Sequence, residues 1–187
     1  MDDTFGTNAG AVHMYKFNGL DWDYRGALSH MAPFGNIVTD QFGMALAMDG
    51  ERMVVGSRAE NGAGAAGAVH YFQYNGMLDM WIESGFIASE HTSGNSTSKF
   101  AESVDISGDY MIVGEHRNNT NGNFAGAAHI YSFYNQCWHL QNVFYGHNAD
   151  DILGKDVAIS GTVAIAGSPF ADTDGLNEAG AVTVYEL

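Results

Sequence analysis

A fifteen-residue stretch, Phe42 to Gly56, returns without insertion or deletion at Phe100 to Gly114 and again at Leu153 to Gly167. A segment repeated in register at this interval is a structural unit, and such units stack because none can bury its faces alone. This repeat constrains the fold more than any other property of the chain.

The stretch opens on Phe42-Gly43, Phe100-Ala101 or Leu153-Gly154 and continues with alternating apolar residues. These are Met44, Leu46 and Met48 in one copy, Val104 and Ile106 in the next, Val157 and Ile159 in the third. Period-two alternation predicts a β-strand, called A. The opposite positions are small or polar: Ala45 and Ala47, Ser103 and Asp105, Asp156 and Ala158. The sequence reading places a tight turn at Asp49-Gly50, Ser107-Gly108 and Ser160-Gly161, where glycine supplies the positive φ of a two-residue hairpin. Strand B follows (Met53 to Val55, Met111 to Val113, Ala164 to Ala166) and is closed by Gly56, Gly114 or Gly167.

After a loop rich in Asn, Asp and Gly comes strand C: Gly10 to Tyr15, Gly67 to Phe72, Gly126 to Tyr131 and Gly180 to Tyr185. Strand D opens on tryptophan, at Trp22, Trp81 and Trp138. The strand C glycines are 57, 59 and 54 residues apart. A four-stranded antiparallel unit of that length, with strands B and C apolar or small throughout, needs cover on both faces. Blades of a β-propeller cover one another in that way, whereas a two-sheet sandwich leaves one face of each sheet wet. The expected fold is all-β: a β-propeller segment of about three blades, completed by further sequence or by other subunits. Its parts are strands C and D of a split blade (1–32), two blades (42–89 and 100–145) and strands A to C of a last blade (153–187).

Composition agrees. Glycine is abundant (24) and proline scarce (2), as in a turn-rich β protein. The net charge of −15 with seven Lys and Arg argues against nucleic acid and anionic membrane surfaces as partners. No apolar run reaches the roughly 18 residues of a membrane helix, so no membrane insertion is expected. The acidic start, Met1-Asp2-Asp3-Thr4, carries no signal peptide pattern. The single cysteine, Cys137, excludes an internal disulfide.

Phe42-Gly43 followed by Val54-Val55-Gly56-Ser57, with Gly167-Ser168-Pro169 in the last copy, resembles the FG-GAP repeat of integrin α-subunit heads. The resemblance implies a propeller used extracellularly or on a cell or virion surface, for adhesion to a glycan or protein partner. In integrins the calcium ligands lie in a long loop between strands A and B. Here that connection is a tight turn, so the integrin calcium site does not carry over.

Candidate chemistry therefore lies in the loops. Asp172, Asp174, Asn177 and Glu178 place oxygen ligands around Gly175 in the manner of a short calcium loop. Asp and Asn are equally turn formers that bond their own backbone. No cofactor is assigned, and calcium is the candidate ion for this loop. His30, His91 and His147 fall in the D-to-A connections, and Phe5, Phe124 and Phe170 stand in B–C loops outside the repeat pattern. These six are the candidate ligand contacts. A second histidine set, His13, His70 and His129, occupies one strand C position and is read as packing between blades. No nucleophile elbow, HExxH or phosphate loop occurs, and no catalytic residue is assigned. The leading function is a non-catalytic binding module. The alternatives are a self-assembling structural subunit of a ring, filament or surface appendage, and a hydrolase on a propeller scaffold.

Overall fold

The computed structural model describes residues 3–30, 40–58, 66–89 and 98–187. These hold thirteen strands: β1 (Val12–Phe17), β2 (Trp22–Leu28), β3 (Phe42–Asp49), β4 (Arg52–Ser57), β5 (Ala68–Asn75), β6 (Met80–Ala88), β7 (Phe100–Ser107), β8 (Tyr110–Glu115), β9 (Ala127–Tyr134), β10 (Cys137–Tyr145), β11 (Val157–Ser160), β12 (Val163–Ser168) and β13 (Ala181–Glu186). They form four antiparallel sheets in chain order: β1-β2, β3-β4-β5-β6, β7-β8-β9-β10 and β11-β12-β13. Two sheets are thus complete meanders. The first has only C and D strands and the last only A, B and C. The fold is all-β, a partial propeller.

The sheets pack face to face through three apolar clusters. Val12 and Leu28 of the first sheet meet Phe42, Met53, Val55, Phe72 and Trp81 of the second. Val54, Val69, Ala45 and Ala47 meet Phe100, Val104, Ile106, Met111, Val113 and Trp138 of the third. Ile112, Ala128 and Ile130 meet Leu153, Val157, Ile159, Ala166 and Tyr185 of the last. Neighbouring residues of one B strand, such as Val54 and Val55, serve different interfaces because strand side chains alternate. Continuous apolar composition in B and C is the consequence.

The Phe-Gly pair has a specific mechanical role. The amide of Phe42 donates to the Ala9 carbonyl (2.8 Å), Phe100 to Ala66 (3.0 Å) and Leu153 to Ala125 (3.0 Å), each the residue before the strand C glycine of the preceding sheet. The chain passes so close that a Cβ on Gly67 or Gly126 would lie under 3.0 Å from backbone atoms of Phe100 or Leu153. Gly56 and Gly114, closing strand B, are crowded in the same way by Ala101 and Gly154. The second residue of the pair takes positive φ, at Gly43 (88°), Ala101 (61°) and Gly154 (81°).

One detail of the sequence reading shifts. Asp49 pairs with Arg52, Ser107 with Tyr110 and Ser160 with Val163. The two turn residues are therefore Gly50-Glu51, Gly108-Asp109 and Gly161-Thr162, one place later than expected, because the residue before glycine remains in the ladder. Each glycine keeps its positive φ (58°, 56° and 58°) at the first turn position.

The inner A strands are also tied sideways. Asp49 accepts the Gly108 amide (2.7 Å), Asp105 the Ile159 amide (2.7 Å) and the Ser107 hydroxyl the Gly161 amide (3.0 Å). The small or polar positions of strand A thus bind amides in the A strand and the A–B turn of the next sheet.

Candidate functional site

The described B–C loops and D-to-A connections emerge at one end of the sheets, because strand A starts, B ends, C starts and D ends there. Phe5 and Phe170 are exposed in the loops before β1 and after β12. Phe124, half-buried and at φ 52°, lies under the Arg117 guanidinium, 5.2 Å from the ring centre. His147 is exposed, and its amide donates to Asp151 (3.2 Å). His30 is not a solvated loop residue: it is buried against Phe42 and His70, with Nε2 3.3 Å from Asp40. His91 lies outside the described residues. The described candidate contacts lie at one end of the molecule: Phe5 and His30 beside the first sheet, Phe124 and His147 beside the third and Phe170 beside the last.

The last B–C loop is closed by its own backbone. Thr173 and Leu176 exchange amide bonds (3.1 and 2.9 Å), and Asp172 accepts the Glu178 amide (2.9 Å). Asp174, Gly175 and Glu178 adopt positive φ (55°, 78° and 52°). Among the described residues no three His, Cys, Asp or Glu side chains gather as a metal would require. The loop at β8–β9 is laced more tightly. Asn119 accepts the Phe124 amide (2.7 Å), Asn121 donates to the Gly146 carbonyl (3.1 Å), and the Ile152 amide donates to Phe124 (3.0 Å). Asn118 is buried with its side-chain amide donating to Glu115 (2.7 Å).

Against this geometry, the family model described as the FG-GAP repeat matches residues 37–72 and 86–131. Each match ends in a strand C, and the second begins in strand D; both take in the Phe-Gly (or Phe-Ala) pair seated on the preceding sheet. These two segments are similar to the FG-GAP repeat. No curated protein matches the chain.

The packing of the sheets accounts for two of the three strand C histidines. His70 is buried on Glu83 (2.8 Å) and His129 on Glu115 (2.9 Å). His13 is exposed and bonds the Tyr24 hydroxyl (3.2 Å), since no sheet covers its face. Glu115 also accepts from the Ser89 hydroxyl (2.9 Å), so this fully buried carboxylate joins a D strand end, a B–C loop and strand C. The sequence reading passed over Glu115. Its one signal is that it stands where the other repeats close strand B with Ser57 and Ser168.

A second group escaped the sequence reading. Arg58, Lys99, Arg117 and Lys155 come from four separate segments and surround Glu102 and His116. Lys155 is 3.2 Å and Arg58 3.6 Å from the Glu102 carboxylate. Burial pushes Glu102 up, but His116, Lys155 and Arg58 outweigh it and hold the carboxyl below its usual range. Burial, with Arg58 and Arg117, lowers Lys99. Burial, with Lys155, Arg117 and Lys99, brings His116 down to about 4 against the pull of Glu102.

At the other end, a cleft of about 490 Å³ opens between the first two sheets, lined by Met14, Leu28, Tyr74, Met80 and Trp81. Asp79 there receives Lys16 (2.8 Å), Arg25 (3.6 Å) and the Tyr74 hydroxyl. A smaller cleft of about 380 Å³ recurs between the second and third sheets, around Arg52, Phe133 and Trp138. The recurrence marks these clefts as gaps of the packing.

Proposed function

We propose that the chain is a non-catalytic adhesion module of the extracellular or cell-surface type. It presents its B–C loops and D-to-A connections to a glycan or protein, with Asp172, Asp174, Asn177 and Glu178 as the segment where calcium could assist. The observation that carries this reading is the contrast between strands and loops. The strands keep one pattern in every sheet, while the loops at one end carry Phe5, Phe124 and Phe170 where packing does not demand them. Glycan and protein arrays, with calcium and with chelator, test it. Replacing Phe124 and Phe170 together by alanine is expected to weaken the captured interaction at least tenfold. Binding that is absent under both conditions, or indifferent to both rings, removes the reading.

A second reading, association of copies, is supported by two open faces. The outer face of the first sheet carries Tyr15, Phe17, Trp22 and Tyr24, with Trp22 65 % exposed. The outer face of the last carries Val163, Ile165, Val182 and Val184, with Val182 64 % exposed. Inside the chain, Tyr131, Phe133 and Trp138 occupy the positions of the first set and Ile112, Ala128 and Ile130 those of the second, and both sets pack against a neighbouring sheet. Head-to-tail docking of two copies brings eight sheets together, within the roughly four to eight blades of known propellers. Sedimentation of the chain tests this. Tyr15→Lys with Trp22→Lys, and Val182→Lys with Val184→Lys, should each abolish association alone, and an equal mixture should form a capped dimer. A parent chain that is monomeric at every concentration overturns the second reading.

A further inference from the structure

Seven Lys and Arg serve the whole chain, yet four of them gather around Glu102 and His116. Arg58 follows β4, Lys99 precedes β7, Arg117 follows β8 and Lys155 precedes β11. The convergence is therefore made by the fold, at the loop end where the second, third and last sheets meet. Two of the four have a clear structural use, since Arg58 and Lys155 reach across from the neighbouring sheets to Glu102. Arg117 also lies over the Phe124 ring, and with Lys99 it adds like charge to a site where Glu102 is already bridged. Gathering like charges is unfavourable, and more so where solvent is partly excluded.

A second observation points into the same place. His116 is 4 % exposed, and its buried Nδ1 has no hydrogen-bond partner among the described residues. A buried imidazole nitrogen left in this way costs stability unless something meets it. An excess of cations beside an unpaired buried imidazole is the arrangement that a bound oxyanion would complete, accepting from guanidinium and ammonium groups together.

We propose that Arg58, Lys99, Arg117 and Lys155, with His116 behind them, form a binding site for a small oxyanion: the sulfate, carboxylate or phosphate group of a ligand. The rest of the surface is strongly acidic, so a long polyanion would be repelled and a single charged group is the chemistry that fits. The inference deepens the adhesion reading by naming the charged group that a glycan or protein ligand would bring to this end of the blades, and it rests on that reading only for the ligand's source.

The test is a titration of the whole chain with sodium sulfate, against sodium chloride at matched ionic strength, followed by the NMR resonances of His116 and the backbone amides around it. The expected result is a saturable shift with sulfate alone and an upward move of the His116 titration midpoint. Lys99→Gln should weaken binding about tenfold and Lys99→Gln with Arg117→Gln abolish it. Lys16→Gln with Arg25→Gln, at the far end, should leave it unchanged. Lys99→Gln is expected to keep or raise the thermal midpoint by relieving repulsion, an outcome a purely structural lysine would not give. Shifts no larger than with chloride, or untouched by the double variant, overturn the proposal. A sulfated and an unsulfated form of the same disaccharide then separate a ligand-borne group from the free ion. Sulfate binding without capture on the arrays keeps this site and removes the adhesion reading. Array capture indifferent to Lys99 and Arg117 does the reverse.

Discussion

Strands β3 and β7 carry the same alternation at the same places in their blades, and their fates differ. Leu46 and Met48 are 56 % and 60 % exposed, whereas Val104 and Ile106, their equivalents, are 8 % and 5 % exposed. Nothing local separates them. Both strands follow a seated Phe-Gly or Phe-Ala pair and end in a glycine turn. The difference is the neighbour: β7 lies on the A and B strands of the second sheet, while β3 faces a first sheet that has only C and D strands. An apolar stripe in a repeat protein states that a face is made for burial, and the adjacent unit decides whether burial happens.

The strongest way to break this comparison uses glycines. A Cβ at Gly114 would meet the backbone of Gly154 at under 3.0 Å, whereas the nearest atom to one at Gly167 is the Asp156 carbonyl at 3.7 Å. Gly114→Ala should lose about 3 kcal/mol or more in urea denaturation, since backbone cannot yield as a side chain can. Gly167→Ala should change stability by less than about 1 kcal/mol. Similar losses at both positions would mean that the last sheet is already covered.

Truncation of the stripes sharpens it next. Ile106→Ala is expected to cost about 2–4 kcal/mol through the cavity it leaves, and Met48→Ala less than about 1 kcal/mol. Equal values would show that exposure in β3 does not persist in solution.

Acid provides a third contrast, between the folded and unfolded environments of His116. Burial holds His116 near 4 from an ordinary 6.5, so the unfolded chain takes up its proton first as pH falls. Stability tied to this group is present above about pH 6.5 and is lost progressively down to about pH 4, by on the order of 1–2 kcal/mol after allowance for nearby solvent. His116→Leu should flatten the decline of the thermal midpoint in that window, and an unchanged decline would show that the buried imidazole does not carry it.

The smallest effect concerns Arg52, which lies 4.1 Å above the Phe133 ring and 2.6 Å from Asp109, joining the second and third sheets at the turn end. Arg52→Ala should cost about 0.5–1 kcal/mol by chemical denaturation. Val163 holds the matching position in the last sheet and has no blade beyond it among the described residues, so Val163→Ala should cost less still.

How much was legible follows from the range of the interactions concerned. Strand order, the glycine at each turn and the burial of B and C on both faces were readable because period-two alternation and turn chemistry act over a few residues. The turn was misplaced by one residue because Asp49, Ser107 and Ser160 suit a turn as well as they suit a ladder end. His70 and His129 share a repeat position yet find their carboxylates on different strands, Glu83 in one case and Glu115 in the other. No periodicity could say that. The cluster at Glu102 was hidden for a stronger reason. Its cations lie at Arg58, Lys99, Arg117 and Lys155, too far apart along the chain to read as a patch, and not at one position of the repeat.

By itself, then, the sequence determined the repeating blade: where strands run, where glycine turns join them, and that strands B and C need cover on both faces. Only the tertiary structure decided which of those equal faces are covered and which charges meet. Alternation and turn preference are properties of a few consecutive residues. Burial and electrostatic environment are properties of whatever lies across the gap, and in a stacked array that is always a different part of the chain.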